Sequence, residues 1–216
     1  YGLKGAGFSL PFDFRKDDHS FEEGLAAFQK QVDFAAAVGL DRCITYIVPG
    51  SQDRTYSENF DLHRRRLDAI TERLQAHGIR FGLEFIGVPK ARLAMRHPFI
   101  HTLDELMELI AAIGRDNLGL LMDVYHWELA GHDYDEFRKI PDGSWVVLAH
   151  IMDAPAGVPP EEQEDLVRAL PGSTGVLQIG RFFEELQKLG FDGPVLPEPF
   201  SELLTNSPYA EAVRIA

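Results

Sequence analysis

The sequence predicts an α/β protein built around a parallel β-sheet, and three observations lead to that fold class. Apolar stretches alternate along the chain with amphipathic helical patterns, and glycines follow several of these helices. Strands separated by helices need crossover connections, which produce parallel pairing. The strand segments are rich in Val, Ile, Leu and Phe, which is typical of a sheet buried on both faces. At 216 residues, the chain is predicted to form one domain over residues 1–216.

The helices are recognised by apolar residues at spacings of three or four and by signals at their ends. Ser20 and Glu23 match a capping box and Gly39 matches a helix stop, so the first helix is predicted over residues 20–38. Further helices are predicted over residues 58–77, 103–113, 133–140 and 181–189.

Six strands are predicted from the apolar runs that lie between these helices. They cover residues 5–10, 42–48, 81–86, 118–124, 146–152 and 194–198. Two architectures fit this pattern, a doubly wound open sheet and a (β/α)8 barrel. A complete barrel has eight strands and about 250 residues, so six strands in 216 residues fall short of it. The segment 153–176 is rich in Pro, Gly and Ser and is predicted to be a long functional loop.

Composition excludes several classes of partner. The chain has 21 basic and 34 acidic residues and a net charge of −13. This charge argues against nucleic acid or an anionic membrane as the main partner, because both are bound by clustered basic residues. No apolar run reaches the length of a transmembrane helix. The single cysteine, Cys43, excludes a disulfide framework and fits a reducing compartment, so we expect a cytoplasmic protein.

Four of the predicted strands end in a side chain that can bind a metal. These side chains are Glu84, Asp123, His150 and Glu198. The carboxyl ends of parallel strands converge on one face, and ionisable groups within apolar runs are costly unless they are paired or bound to metal. We therefore predict that the four residues form one metal site. Three carboxylates and one imidazole suit Mn²⁺ or Mg²⁺, with Co²⁺ and Zn²⁺ as further candidates.

These residues resemble the xylose isomerase-like TIM barrels, and within them the sugar phosphate isomerase/epimerase group. The resemblance extends over about residues 1–200 and rests on Glu84, Asp123-x-x-His126, His150-x-x-Asp153 and Glu198 within Pro-Glu-Pro-Phe. In that family the four ligands end strands five to eight of the barrel. The resemblance therefore implies a (β/α)8 TIM barrel whose first two βα units are absent from this chain, which makes the domain N-terminally incomplete.

The resemblance also implies a divalent-metal-dependent isomerase or epimerase of a small sugar or keto-polyol. One divalent ion stabilises an enediolate in this chemistry, and two carboxylates transfer the protons. Glu84 and Glu198 take these catalytic positions and are also metal ligands. His126 and Arg168, the latter in an Arg-Ala-Leu-Pro-Gly turn, take the positions of substrate-binding residues. Asp153 is predicted either to orient a metal ligand or to cap the next short helix.

Other activities on the same scaffold stay open at this point. Inosose-type and dehydroshikimate-type dehydratases remove the same α-proton and then expel a β-hydroxyl. An endonuclease IV-like phosphodiesterase is disfavoured by the negative charge and by the few histidines at strand ends. A non-catalytic binding module is disfavoured by the complete set of ligands.

One departure from the ketose epimerases bears on the substrate. Those enzymes carry an additional glutamate shortly after the first metal glutamate, whereas this chain has Gly87-Val88-Pro89-Lys90 there. The departure leaves room for a phosphorylated or carboxylated substrate near Lys90. Members of the group are commonly dimers or tetramers, so the resemblance also admits a homo-oligomer.

Overall fold

A computed structural model describes residue 2 and residues 4–215, in which strands and helices alternate as predicted. The strands are β1 (Phe8–Ser9), β2 (Arg42–Ile47), β3 (Gly50–Ser51), β4 (Arg80–Phe85), β5 (His97–Pro98), β6 (Leu118–Asp123), β7 (Val146–Ile151) and β8 (Val195–Pro197). The α-helices are α1 (Asp18–Ala37), α2 (Tyr56–Gln75), α3 (Pro89–Leu93), α4 (Leu103–Ile113), α5 (Val124–Leu129), α6 (Ile179–Lys188), α7 (Glu202–Asn206) and α8 (Tyr209–Ile215). Short 3₁₀ turns cover Tyr134–Lys139, Gly143–Trp145 and Pro160–Glu162.

Six of the strands form one sheet in the order β1-β2-β4-β6-β7-β8, and every neighbouring pair is parallel. The sheet is curled. Its curl is evident from the contacts that β7 makes with β2 and β4, two strands that are not its neighbours in the sheet. The Nε of Arg42 on β2 donates to the Val147 carbonyl of β7 over 3.0 Å. A Cβ on Gly82 of β4 would lie 3.1 Å from the Cβ of Val147. The predicted parallel α/β sheet is confirmed, and its curl makes it part of a TIM barrel rather than a doubly wound open sheet.

In the described part of the chain, β1 and β8 are the two edge strands of this sheet. The expectation that two βα units of the barrel are missing from this chain stays a prediction. Core side chains from the sheet pack against helices, with Phe28 and Val32 of α1 and Leu67 and Ile70 of α2 among those fully buried. No helix in the described ranges is long and apolar enough to cross a membrane.

The starts of two helices differ from the prediction. The first helix begins after Asp17, whose carboxylate accepts a hydrogen bond from the Ser20 backbone N–H at 3.0 Å. The predicted Ser20–Glu23 capping box is therefore wrong, because an aspartate caps a helix as well as a serine does and lies three residues earlier. The second helix begins after Thr55, where Glu58 completes a capping box.

Two further local features also differ from the prediction. The segment predicted as a helix over 133–140 is a 3₁₀ helix, Tyr134–Lys139. A short antiparallel pair, β3 with β5, was not predicted, because two-residue strands are too short for apolar alternation to reveal them. This pair connects the loop after β2 to the segment before α4, and Gly50 permits it since a Cβ there would lie 2.3 Å from the Met95 Cβ.

Candidate metal centre

The four predicted ligands, which we call the metal centre, meet at the carboxyl-terminal edge of the sheet. Each offers a ligand atom within 4.8 Å of the ligand atoms of the others: Glu84, Asp123, His150 and Glu198. The strand register explains the meeting, because Asp123 of β6 pairs directly with His150 of β7. The Glu198 N–H extends the β7–β8 pairing by donating to the Ile151 carbonyl over 3.0 Å.

The imidazole of His150 lies at the middle of the metal centre. Its Nδ1 is 3.6 Å from Glu84 Oε1, 3.8 Å from Asp123 Oδ2 and 3.3 Å from Glu198 Oε2. Glu198 is half-buried and the other three residues are buried. Glu84 Oε1 and His150 Nδ1 are buried without a hydrogen-bond partner among the described residues. Two orphaned ligand atoms within a set of three carboxylates and one imidazole fit a divalent cation.

The two oxygens of the Asp123 carboxylate have different partners. Its Oδ1 accepts hydrogen bonds from the backbone N–H groups of Tyr125 at 2.7 Å and His126 at 3.1 Å, and so caps α5. Its Oδ2 faces the metal centre and accepts a hydrogen bond from Arg168 Nη1 over 3.1 Å. Burial raises the pKa of Asp123, but electrostatic interactions with His126, Arg168 and His150 outweigh burial and hold this pKa below its usual value. The carboxylate is therefore fixed in its ionised form, which is the form that binds metal.

Glu84 and His150 retain protons that a metal ion would displace. Burial raises the pKa of Glu84 to about 8, and the nearby charges of Asp123 and Glu198 add to the effect. Burial alone would lower the pKa of His150, but the carboxylates of Glu198 and Glu84 raise it to about 10. Metal binding at this centre is therefore expected to release protons near neutral pH.

Arg168 projects from the long loop into the metal centre. Its guanidinium lies between the rings of Tyr125 and Phe200, each 4.8 Å away. Its Nη1 is 3.1 Å from Asp123 Oδ2 and 2.9 Å from Glu198 Oε2. Phe200 has φ 40°, a conformation unusual outside glycine. Arg168 therefore contacts the same two carboxylate oxygens that face the metal centre.

Asp153 holds the loop that carries Arg168. Its carboxylate accepts hydrogen bonds from the backbone N–H groups of residues 174–177 over 2.7–3.1 Å. Its own backbone N–H and carbonyl pair with Ala169, next to Arg168, at 2.9 and 2.8 Å. The structure does not bring this carboxylate to a metal ligand. With Ala154, five backbone N–H groups donate to the carboxylate. These contacts hold the loop and do not cap the next short helix, Pro160–Glu162, whose N-cap is Pro159.

His126 is buried beside Arg168 with both ring nitrogens engaged. The Gly87 N–H donates to Nδ1 over 3.3 Å. Nε2 lies 3.1 Å from Nη2 of Arg168 and 3.4 Å from the Asp165 carboxylate. Burial lowers the pKa of His126, so the ring is neutral at neutral pH. Asp165 was missed in the sequence analysis because its loop carries no periodic pattern that marks inward-facing residues.

The metal centre opens into a cavity of about 360 Å³. Besides the metal ligands, its lining includes Ser9, Thr45, Tyr46, Ile86, Leu166 and Phe200. Lys90 is not among the lining residues, and its ammonium forms an ion pair with Glu164 of the long loop. The lysine that was expected near an acidic substrate group is therefore already paired with a carboxylate.

Comparison with curated proteins finds relatives of low sequence identity that align with most of this chain. An inosose isomerase of Halalkalibacterium halodurans is 24% identical over 211 residues, which are 96% of this chain and 70% of the relative. An L-ribulose-5-phosphate 3-epimerase, UlaE, of Shigella flexneri serotype 5b is 26% identical over 203 residues, covering 92% of this chain and 63% of that enzyme. The chain therefore spans about two thirds of the length of these relatives.

Solved structures share the fold. A xylose isomerase domain protein from Alicyclobacillus acidocaldarius subsp. acidocaldarius superposes with a TM-score of 0.85 at 27% identity, covering 97% of this chain and 73% of that one. A structure described as IOLI protein with a bound zinc atom superposes with a TM-score of 0.78 at 21% identity, covering 96% and 71%. Residues 1–215 match the family model described as xylose isomerase-like TIM barrel. The chain belongs to the xylose isomerase-like TIM barrel family.

Proposed function

We propose that this chain is a divalent-metal-dependent isomerase or epimerase of a small sugar or keto-polyol. The observation that carries the proposal is the convergence of three carboxylates and one imidazole within 4.8 Å at the mouth of a cavity of about 360 Å³. The relatives named inosose isomerase and L-ribulose-5-phosphate 3-epimerase support this class of reaction. The oxygen-rich donor set favours Mn²⁺ or Mg²⁺.

Glu84, Asp123, His150 and Glu198 would hold the ion. A bound divalent ion would supply Lewis-acid stabilisation of the negative charge that develops on the substrate carbonyl oxygen. Glu84 and Glu198 are the proposed proton-transfer pair, because both carboxylates face the cavity. A bound metal ion would hold Glu84 in its ionised form, which is the form that accepts a proton.

The two remaining side chains of the site are suited to binding substrate oxygens. His126 lines the cavity, and its neutral imidazole can form a hydrogen bond with a substrate hydroxyl. The guanidinium of Arg168 presents several donors in a fixed plane and is held there by two aromatic rings. These contacts would orient the carbon that loses its proton toward one of the two glutamates.

Proton exchange with solvent tests the proposal. Metal-loaded protein is incubated with a panel of ketoses and keto-polyols in D₂O, and deuterium at the carbon beside the carbonyl is followed by NMR. We expect exchange into at least one substrate and its loss in Glu198→Gln, but not in the control Glu161→Gln on the exposed part of the loop. Absence of exchange across the panel, or equal exchange in Glu198→Gln, would contradict the proposal. Loss of water from the substrate would instead identify a dehydratase.

A further inference from the structure

A second cavity lies beside the metal centre, next to the ends of β1 and β2, and has a volume of about 200 Å³. Its polar lining consists of Arg15, Ser51, Arg54, Asn59 and His63, a set we call the basic cavity. Among the described residues, no carboxylate lines it. A cavity with two arginines and no lining acid is a marked local exception in a chain of net charge −13.

Arg15 is fixed in place with one donor unused. Its Nε donates to Asp13 Oδ1 over 2.7 Å, and its guanidinium lies 4.9 Å from the centre of the Tyr46 ring. Its Nη1 is buried and has no hydrogen-bond partner in the described part of the chain. Leaving a charged donor unsatisfied is costly, so Nη1 is a donor for which a ligand acceptor would be favourable.

His63 presents an unused ring nitrogen. The ring packs against Phe14 at 5.2 Å and Phe99 at 4.7 Å, and its Nδ1–H donates to the Asn59 carbonyl over 2.8 Å. Nε2, at the opposite edge of the ring, is buried without a partner among the described residues. Burial lowers the pKa of His63 to about 4, and neighbouring arginines add to the effect. The imidazole is therefore neutral at neutral pH, and Nε2 is an acceptor.

Arg54 adds a second positive charge that no acid neutralises by contact. Its half-buried guanidinium makes no ion pair within the described ranges. The Glu58 carboxylate, which is near enough to interact with it electrostatically, is bound by the backbone N–H and hydroxyl of Thr55 at 2.9 and 2.7 Å. The Asp13 carboxylate is bound to Arg15.

We propose that the basic cavity binds a phosphate group. Guanidinium groups bind phosphate oxygens through charge-assisted hydrogen bonds, and a phosphate monoanion, free or esterified, also keeps at least one P–OH that can donate to His63 Nε2. A single water needs only about 10–15 Å³ of such space, so a cavity of about 200 Å³ admits a much larger occupant. The proposal does not depend on the proposed isomerase activity, because phosphate binding needs no metal at the neighbouring centre.

Tyr46 and Arg15 lie between the two cavities, and their positions suggest which molecule carries the phosphate. Tyr46 lines the larger cavity, Arg15 lies over its ring, and Tyr46 pairs in the sheet with Glu84. A phosphate in the basic cavity would therefore lie on the same edge of the sheet as the metal ligands. The phosphate of a phosphorylated substrate and free phosphate share this chemistry, and the kinetic arm of the test separates them.

Binding of inorganic phosphate to the metal-free protein is the primary test, measured by isothermal titration calorimetry. We expect Arg54→Gln to weaken binding about tenfold to a hundredfold, the range for losing hydrogen bonds to a charged group. Arg65→Gln, at an exposed position on α2, is the matched control and is expected to leave binding unchanged. Glu198→Gln is likewise expected to leave it unchanged, so failure of the metal chemistry and failure of this proposal are distinguishable.

NMR spectroscopy of His63 tests directly whether phosphate occupies the basic cavity. Phosphate is expected to shift the imidazole nitrogen signals of His63 in ¹H–¹⁵N spectra of the wild-type protein, and to leave those of the exposed His19 in place. No phosphate binding, equal binding in Arg54→Gln, or unchanged His63 signals would overturn the proposal. Kinetics of proton exchange distinguish the two sources of phosphate. If the substrate carries the phosphate, Arg54→Gln slows exchange of a phosphorylated ketose but not of its unphosphorylated form. If free phosphate is the ligand, Arg54→Gln slows the exchange of neither ketose.

Discussion

The metal centre and the basic cavity lie on the same edge of the sheet and have opposite charges. The metal centre gathers three carboxylates around His150, whose pKa is raised to about 10 by them. The basic cavity gathers two arginines around His63, whose pKa is lowered to about 4. Both histidines are buried, so the difference between them comes from their neighbours. One edge of the sheet therefore carries an acidic site suited to a cation and, beside it, a basic cavity suited to an anion.

The largest expected effect is a loss of kcat that leaves phosphate binding unchanged. Glu84→Gln should lower kcat for proton exchange about 10²-fold to 10⁴-fold, the usual contribution of a positioned acid–base group. Phosphate binding should not change, because Glu84 does not line the basic cavity. Steady-state kinetics and calorimetry on the same preparation measure both quantities. A loss of phosphate affinity in this variant would show that the two sites are not separate.

The basic cavity should make the fold acid-sensitive. In the unfolded chain His63 regains its ordinary pKa of 6.5, whereas in the folded chain the pKa is about 4. Between these values the unfolded chain binds the proton and the folded chain does not, so stability falls as the pH is lowered from 6.5 toward 4. This difference is worth up to about 3 kcal/mol.

Urea unfolding between pH 4 and pH 7 measures this effect. His63→Phe keeps a ring between Phe14 and Phe99 but cannot titrate, so its free energy of unfolding should depend less on pH. His19→Phe, at an exposed position in α1, is the control. An identical pH dependence of the wild type and His63→Phe would contradict the account of the buried imidazole.

The loop between the metal centre and the solvent depends on Asp153. Asp153→Asn keeps the shape but removes the charge that accepts four backbone N–H groups of residues 174–177. We expect the free energy of unfolding to fall by about 1.5–3 kcal/mol, as for hydrogen bonds to a charged group. Asp192→Asn, at an exposed position, should have little effect. An unchanged urea midpoint would show that the loop does not need this anchor.

The smallest effect concerns competition between Arg168 and the metal. The guanidinium contacts Asp123 Oδ2 and Glu198 Oε2, which also face the ion. Removing this positive charge in Arg168→Gln should increase the affinity for Mn²⁺ about tenfold while raising KM for the substrate. Arg65→Gln is the control for the change in net charge. A weaker Mn²⁺ affinity in Arg168→Gln would mean that Arg168 positions the ligands rather than competing with the ion.

Much of the fold could be predicted because its signals are local. Apolar runs located the six strands of the sheet, and the helix predicted over residues 103–113 is α4, which has Thr102 and Gly114 as its caps. The four ligands stood out because charged residues in apolar strands are rare, and parallel strands bring their ends together. The predicted start of α1 was wrong because Asp17 and Ser20 are both good caps, and the sequence alone does not show which of them caps the helix.

The basic cavity could not be predicted, because long-range packing assembles it. Arg15, Arg54 and His63 come from the loop after β1, the loop after β2 and the middle of α2, with no fixed spacing between them. His63 looked like any histidine on a helix, and its orphaned Nε2 is visible only once Phe14 and Phe99 pack around the ring. The role of Asp153 was equally hidden, since its partners are backbone N–H groups more than 20 residues away.

The central claim is that Glu84, Asp123, His150 and Glu198 together bind one divalent ion. Calorimetric titration of the metal-free protein with Mn²⁺ tests it most directly. The account predicts one ion per chain, release of protons on binding, and loss of the binding isotherm in Asp123→Asn but not in Glu161→Gln. Absence of saturable binding, or the same isotherm in Asp123→Asn, would contradict it.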